Sequence, residues 1–289
     1  MRHDPAVDTY THGHAEPVLQ SHRWRTAENS AGYLLPSLRP GLDLLDVGCG
    51  PGTITVDLAA RVAPGRVLGL DVSPDPLPEA REAAARAGVE VTFAVGDVYA
   101  LDVPDASFDV VHAHQVLQHL TDPVAALREM TRVCRPGGVI AVRDVDYAAT
   151  TWFPLDDGLD RWLALYSQVA RANGAEPDAG RRLLSWAHAA GLRDVTATAG
   201  TYCYASAEER QWWGNSWAGR ATASSFAEQA VSYGLADPAE LDAISASWLR
   251  WRDADDGWLG MLHAELLIRW ADGADRIRRS GWRWPGSRR

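Results

Sequence analysis

Three glycines alternate in one short run, Gly48, Gly50 and Gly52 of GCGPGT, directly after the apolar segment LDLLDV and directly before ITVDLAARV. Glycine lets a chain turn tightly out of a strand and lets a ligand approach the backbone without meeting a Cβ atom. The spacing is G-x-G-x-G, whereas the dinucleotide fingerprint G-x-G-x-x-G requires glycine at Thr53. A smaller nucleoside ligand therefore suits the loop better, which weighs against a nicotinamide oxidoreductase. Asp71 closes the next apolar run, 19 residues after Gly52, where a carboxylate can accept hydrogen bonds from both hydroxyls of a ribose. Asp97 closes a third run in VGDV, where it can meet the exocyclic amine of an adenine lying beside Val98. Each aspartate alone reads equally well as a helix cap or turn former. Three successive strand ends delivering polar groups to one crevice are much harder to explain that way.

The runs DVGCGPG (46–52), GLDVS (69–73), GDVYALDVPDASFDVV (96–111), VLQHLTDP (116–123) and CRPGG (134–138) resemble the class I methyltransferases, and within them the ubiquinone and menaquinone biosynthesis group. The resemblance implies a doubly wound, seven-stranded, mostly parallel Rossmann-like sheet and S-adenosyl-L-methionine as cofactor. It places Asp46, Gly48, Cys49 and Gly50 around the methionine part, Asp71 and Val72 at the ribose, and Asp97 and Val98 at the adenine. His114 and Gln115, after the fourth strand, fall near the methyl group. Cys49 is then a small loop residue and not a nucleophile. Relatives often close the pocket with a leading helix carrying a tyrosine or arginine near the methionine carboxylate, which points to Tyr10 and Arg25. Helix packing of the tyrosine and solvation of the arginine account for them equally well.

Methyl transfer from a sulfonium is an in-line displacement, so the protein mainly has to align acceptor, methyl carbon and sulfur, which can supply roughly 7 to 11 kcal/mol. An acceptor hydroxyl, amine or acidic carbon must still lose a proton, and a histidine tuned near neutral pH is a suitable general base. His119 is the candidate, since VLQHLTDP places it one turn beyond the fourth strand; positioning of the acceptor is the competing role. His112, His114 and His119 could suggest a metal, but no carboxylate or cysteine joins them at ligand spacing, so packed or cofactor-facing histidines and no metal are expected.

Positioning these groups requires alternating strands and helices. Five strands are expected over residues 42–47, 66–70, 89–95, 108–113 and 138–145, with helices over 54–62, 76–87 and 123–133, the pattern of βαβ units. A sixth strand is expected at 194–204 and a seventh at 258–270. The intervening helical stretch, 206–256, is too long for a connection and reads as a cap over the acceptor, with 151–190 contributing. Residues 41–205 and 257–272 then form the cofactor-binding domain, 1–40 a helical segment closing the pocket, and 276–289 a basic tail. Most of the 13 tryptophans follow Thr151. Indoles bury large apolar area with one donor to spare, so Trp152, Trp162, Trp213 and Trp217 are expected to line the acceptor pocket, although aromatic stripes usually face a core.

The composition bounds the partners. Hydrophobic residues at 46% and a length of 289 suit one elaborated globular domain. A formal net charge of −10 repels phosphate backbones and anionic membrane surfaces, so neither nucleic acid nor membrane is expected as partner. Three scattered cysteines suit a reducing cytoplasm; no apolar run reaches the length of a spanning helix. Monomer and homodimer both remain compatible. The expected function is methylation of O, N or C on a small, aromatic or lipophilic metabolite; the alternative is a cofactor-binding module without catalysis that acts as regulator or partner.

Overall fold

A computed structural model describes Thr11 and residues 24–271. Tyr10, most of the leading segment before residue 24, and the basic tail 276–289 lie outside the described residues. Strands β1 (Leu44–Val47), β2 (Val67–Asp71), β3 (Thr92–Val95), β4 (Phe108–His114) and β5 (Cys134–Val145) alternate with helices α2 (Thr53–Val62), α3 (Leu77–Ala87) and α4 (Pro123–Val133). A short α1 (Ala27–Ala31) precedes them. Then come β6 (Thr151–Phe153), α5 (Asp157–Ala172), α6 (Leu183–Ala189), β7 (Val195–Tyr204), α7 (Ala207–Thr222), α8 (Ser225–Ser232), α9 (Pro238–Asp253) and β8 (Trp258–Arg269).

The sheet order is β3-β2-β1-β4-β5-β8-β7. β1 to β5 are mutually parallel, and β8 runs antiparallel to β5, β6 and β7. The fold is thus the expected doubly wound α/β sheet of seven long strands, with one addition. Three-residue β6 pairs Thr151–Phe153 against Trp258–Gly260, continuing the line of β5 along the same edge of β8. Its partner lies more than a hundred residues away in sequence, so no local pattern announces it.

Alternation along the strands divides the core. Leu44, Val110 and Ala141 pack with Ala27, Ala31 and Leu58 on the side of α1 and α2. Leu45, Val47, Val111 and Val142 pack with Leu127, Met130 and Leu183 on the side of α4 and α6. Helix starts carry the sequence signals that specify them. Asp122 caps α4 by accepting from Ala125 N–H, with Pro123 in the first turn, and Ser206 with Glu209 forms a capping box on α7. A separate core joins α5, α7, α8 and α9 around Trp162, Trp217, Trp248 and Trp251. Thr11 is buried against this part, its Oγ1 accepting from Asn173 Nδ2 at 3.0 Å.

Candidate active site

The strand order reverses between β1 and β4, so the connections leaving them run to opposite sides and open a crevice at their C-terminal ends. Gly48 leaves β1 with φ +69°, and a Cβ there would stand 2.4 Å from Val116 Cγ2, just beyond β4. Glycine is needed on both counts. Cys49 N–H donates to Leu70 O at 2.9 Å, and Gly50 N–H donates to Asp71 Oδ2 at 2.9 Å. Asp71 Oδ1 also accepts from Ser73 N–H at 3.0 Å. The loop after β1 is thereby tied to the end of β2. An ionised carboxylate offers about four acceptor positions, so one group can hold this loop and serve a ligand. Val72 beside it is 73% exposed. At the end of β3, exposed Asp97 accepts from Tyr99 N–H, while Val98 is buried in the core. Tyr99 OH accepts from Asp122 N–H at 3.1 Å, tying this end to the segment after β4.

Asp46 departs from expectation. It points away from the crevice, with Oδ1 2.7 Å from His112 Nδ1 and Oδ2 accepting from Thr55 Oγ1 at 2.5 Å. Strand alternation turns it toward α2, so it fastens the loop from beneath through Thr55 and His112. Cys49 is buried, and burial raises its thiol pKa well above the ordinary value, which fits an inert loop residue.

After β4 a polar network appears that motif reading did not find in full. Gln115 adopts φ +55°, and its N–H donates to Arg143 O at 2.7 Å. Its Oε1 accepts from Arg25 Nη2 at 2.7 Å, and its Nε2 lies 2.8 Å from His263 Nε2. His263 Nδ1 lies 3.0 Å from Met261 O. One assignment satisfies every contact: His263 is neutral, donates from Nδ1 and accepts at Nε2. His114 Nε2 reaches Tyr202 OH at 3.4 Å, and Tyr202 OH reaches Ser30 Oγ at 2.6 Å. Burial, then the charges of Arg25 and Arg143, holds His114 well below the usual imidazole range; burial, then Arg143, does so for His263. Tyr202 and His263 come from the last two long strands, where no motif marks them.

His119 ends a 3₁₀ turn, Leu117–His119. It is half-buried, its Nε2 lies 3.1 Å from Gln118 Nε2, and desolvation followed by the Arg25 charge pulls its pKa down to about 3. Burial thus favours its neutral form.

Residues 38–208 match a family described as a methyltransferase domain. The chain belongs to this family. An uncharacterized methyltransferase of Schizosaccharomyces pombe is 34% identical over 271 residues, covering 90% of this chain and 96% of that protein. The 27-O-demethylrifamycin SV methyltransferase of Amycolatopsis mediterranei is 38% identical over 129 residues, covering 44% of this chain and 46% of that protein. The solved structure of the YcgJ protein from Bacillus subtilis aligns with a TM-score of 0.55 at 19% identity, covering 84% of this chain and 98% of that one, which shows a shared fold. The protein is thus a class I S-adenosylmethionine-dependent methyltransferase.

The methyltransferase fits that cofactor at the crevice: a loop that excludes a Cβ at Gly48, a carboxylate at Asp71 and an exposed apolar side chain at Val72. Among its described residues no cluster of three His, Cys, Asp or Glu could hold a metal, and no helix is long and apolar enough to cross a membrane.

The tryptophans divide. Trp162 and Trp217 have no exposed surface. Trp162 meets Trp217 and Trp248 edge to face, each at 4.7 Å between centroids. Both expected pocket residues are therefore core, because an indole in the middle of a helix cluster buries most area by packing on its neighbours. Trp152 and Trp213 keep 8% and 7% exposure. Trp213 stacks on Tyr204 at 4.5 Å, and Trp24 contacts Tyr202, Tyr204 and Trp212. With Tyr202 4.4 Å from the His263 ring, aromatic side chains run unbroken from Gln115 to the helices after β7.

Proposed function

We propose that this methyltransferase modifies O, N or C of a small aromatic or lipophilic metabolite, with the cofactor along Gly48–Gly50, Asp71 with Val72, Asp97 with Val98, and His114 with Gln115. The observation that supports the reading is the run of aromatic contacts through Tyr202, Tyr204, Trp24 and Trp213, which begins beside Gln115 and ends at α7. Helices over 206–256, with 151–190, form the cap on this acceptor side; residues 41–205 and 257–272 form the cofactor domain, and the described run 24–40 of the segment 1–40 closes the pocket. The A. mediterranei relative, named for methylating a demethylrifamycin, supports a small acceptor. The net charge of −10 supports the same choice over nucleic acid.

S-adenosylmethionine supplies an electrophilic methyl carbon when bound. The chain's own part is alignment and exclusion of water. Gly48 and Gly50 present backbone to the methionine part, and Asp71 holds the ribose. Arg25, through Gln115, fixes the segment facing the reacting atoms. Neutral His119 orients the acceptor by a hydrogen bond; a pKa near 3 gives it too little basicity to remove a phenol or amine proton by itself. Trp152 and Trp213 are retained as acceptor-wall residues, and Trp162 and Trp217 support them from the core.

The test is transfer from methyl-labelled S-adenosylmethionine into a fractionated cell extract. Label in small, organic-extractable compounds is expected. Label confined to protein or nucleic acid, or no transfer beside intact cofactor binding, would overturn the reading; the last result would favour a non-catalytic binding module.

A further inference from the structure

Asp144, the penultimate residue of β5, is fully buried and faces the opposite side of the sheet from Arg143. Its Oδ1 accepts from Gln118 N–H at 3.1 Å, and Leu117 N–H contributes a second backbone contact. Its Oδ2 is buried with no hydrogen-bond partner among the described residues. From the other side, Gln118 O accepts from Glu176 N–H at 2.9 Å. The turn that carries His119 is thus clamped between a side chain from the sheet and a backbone amide from the segment before α6. A buried carboxylate with one oxygen unsatisfied costs stability, and nothing in the packing of β5 demands one.

We propose that Asp144 is a positioning residue whose charge tightens the Leu117–His119 turn against the sheet and thereby strengthens cofactor binding. The inference rests on the proposed placement of the segment after β4 against the cofactor. Hydrogen bonds to an ionised acceptor are roughly twice as strong as neutral ones, so loss of the charge loosens the turn without dismantling it. Burial, opposed by the two backbone N–H contacts and then by Arg143 and Arg25, raises the carboxyl pKa to about 7, so the change falls within physiological pH. The charged groups acting on it are Arg143 of its own strand and Arg25 ahead of α1. Ala264 lies opposite on β8, Tyr33 acts on Asp144 from ahead of β1, the turn presents backbone amides beside neutral His119, and nearby Asp146 is engaged by Arg181.

The experiment uses the full chain, labelled with 15N-glutamine, and S-adenosylhomocysteine as probe. In the wild type the Gln118 amide resonance is expected to titrate with a midpoint near pH 7, and probe affinity to rise roughly five-fold from pH 6 to pH 8. Asp144→Asn keeps the Oδ1 acceptor and removes the charge; its affinity should stay at the acidic wild-type value throughout. A wild-type Gln118 amide that does not move between pH 6 and 8 overturns the proposal whether or not the variant folds. Retention of the wild-type pH dependence by Asp144→Asn overturns it as well, as does a titrating amide with unchanging affinity. Absence of probe binding at every pH is a separate result, and defeats the cofactor placement itself.

Discussion

The Gly48 loop, where Gly48 is exposed and Gly50 half-buried, and the fully buried tryptophan core around Trp217 are held by different physics. The loop is fixed by directional contacts between backbone and carboxylate: Gly50 N–H on Asp71, Cys49 N–H on Leu70 O, and φ values few residues other than glycine adopt readily. The indole core is held by area. Trp162, Trp217 and Trp248 interlock edge to face or stacked, and Nε1 of Trp162 and Trp248 has no hydrogen-bond partner among the described residues. Ring edges resting on π faces offset part of that loss. Directional contacts hold the loop after β1, and packed area holds the helices after β7.

The sharpest way to break this contrast is Trp217→Ala. Removing a fully buried indole should cost about 3 to 5 kcal/mol in urea unfolding, with S-adenosylhomocysteine affinity of the folded protein changed less than two-fold, about 0.4 kcal/mol. A fall in affinity as large as that of a loop variant would show the regions to be one unit. Gly48→Ala is next. Strain at φ +69° and the encounter with Val116 should weaken probe binding about 100-fold by calorimetry. Asp71→Asn follows at about ten-fold, because the neutral amide keeps an acceptor but loses the charge.

A further contrast lies in pH dependence. His114, His119 and His263 are held neutral below their ordinary pKa. Their contribution to stability is present above about pH 6.5 and is lost as pH falls through that value toward the folded-state values. Asp144 acts oppositely: raised to about 7, it stabilises the fold relative to the chain below the ordinary carboxyl range and loses that contribution as pH climbs from about 4 to 7. Thermal unfolding of Asp144→Asn between pH 4 and 7 should therefore rise more steeply with pH than in the wild type. A parallel pair of curves would count against the aspartate assignment, since the histidines are common to both proteins.

Much of the cofactor side was legible because its determinants are local. Glycine spacing, an acid at each strand end and helix caps within four residues each act over one turn of chain, and β1, β2 and β4 with their helices fall within a few residues of expectation. Asp46 was misplaced because a motif records adjacency, while strand alternation decides which side a residue faces. Trp162 and Trp217 were misplaced because a helix pattern marks an apolar stripe without saying whether a core or a ligand covers it. His263, Tyr202 and Asp144 carry no motif and reach the site only through strand pairing across the sheet.

By itself the order of residues determined the doubly wound sheet, the glycine loop after β1 and the helices that follow β7, since propensity, turn chemistry and period are written within short windows. Tertiary structure alone decided the environment of His119, the neutral tautomer of His263, the clamp on Gln118 and the packed core among the helices that follow β7. Those properties come from burial and from partners distant in sequence, and desolvation exists only once the chain has closed around the group.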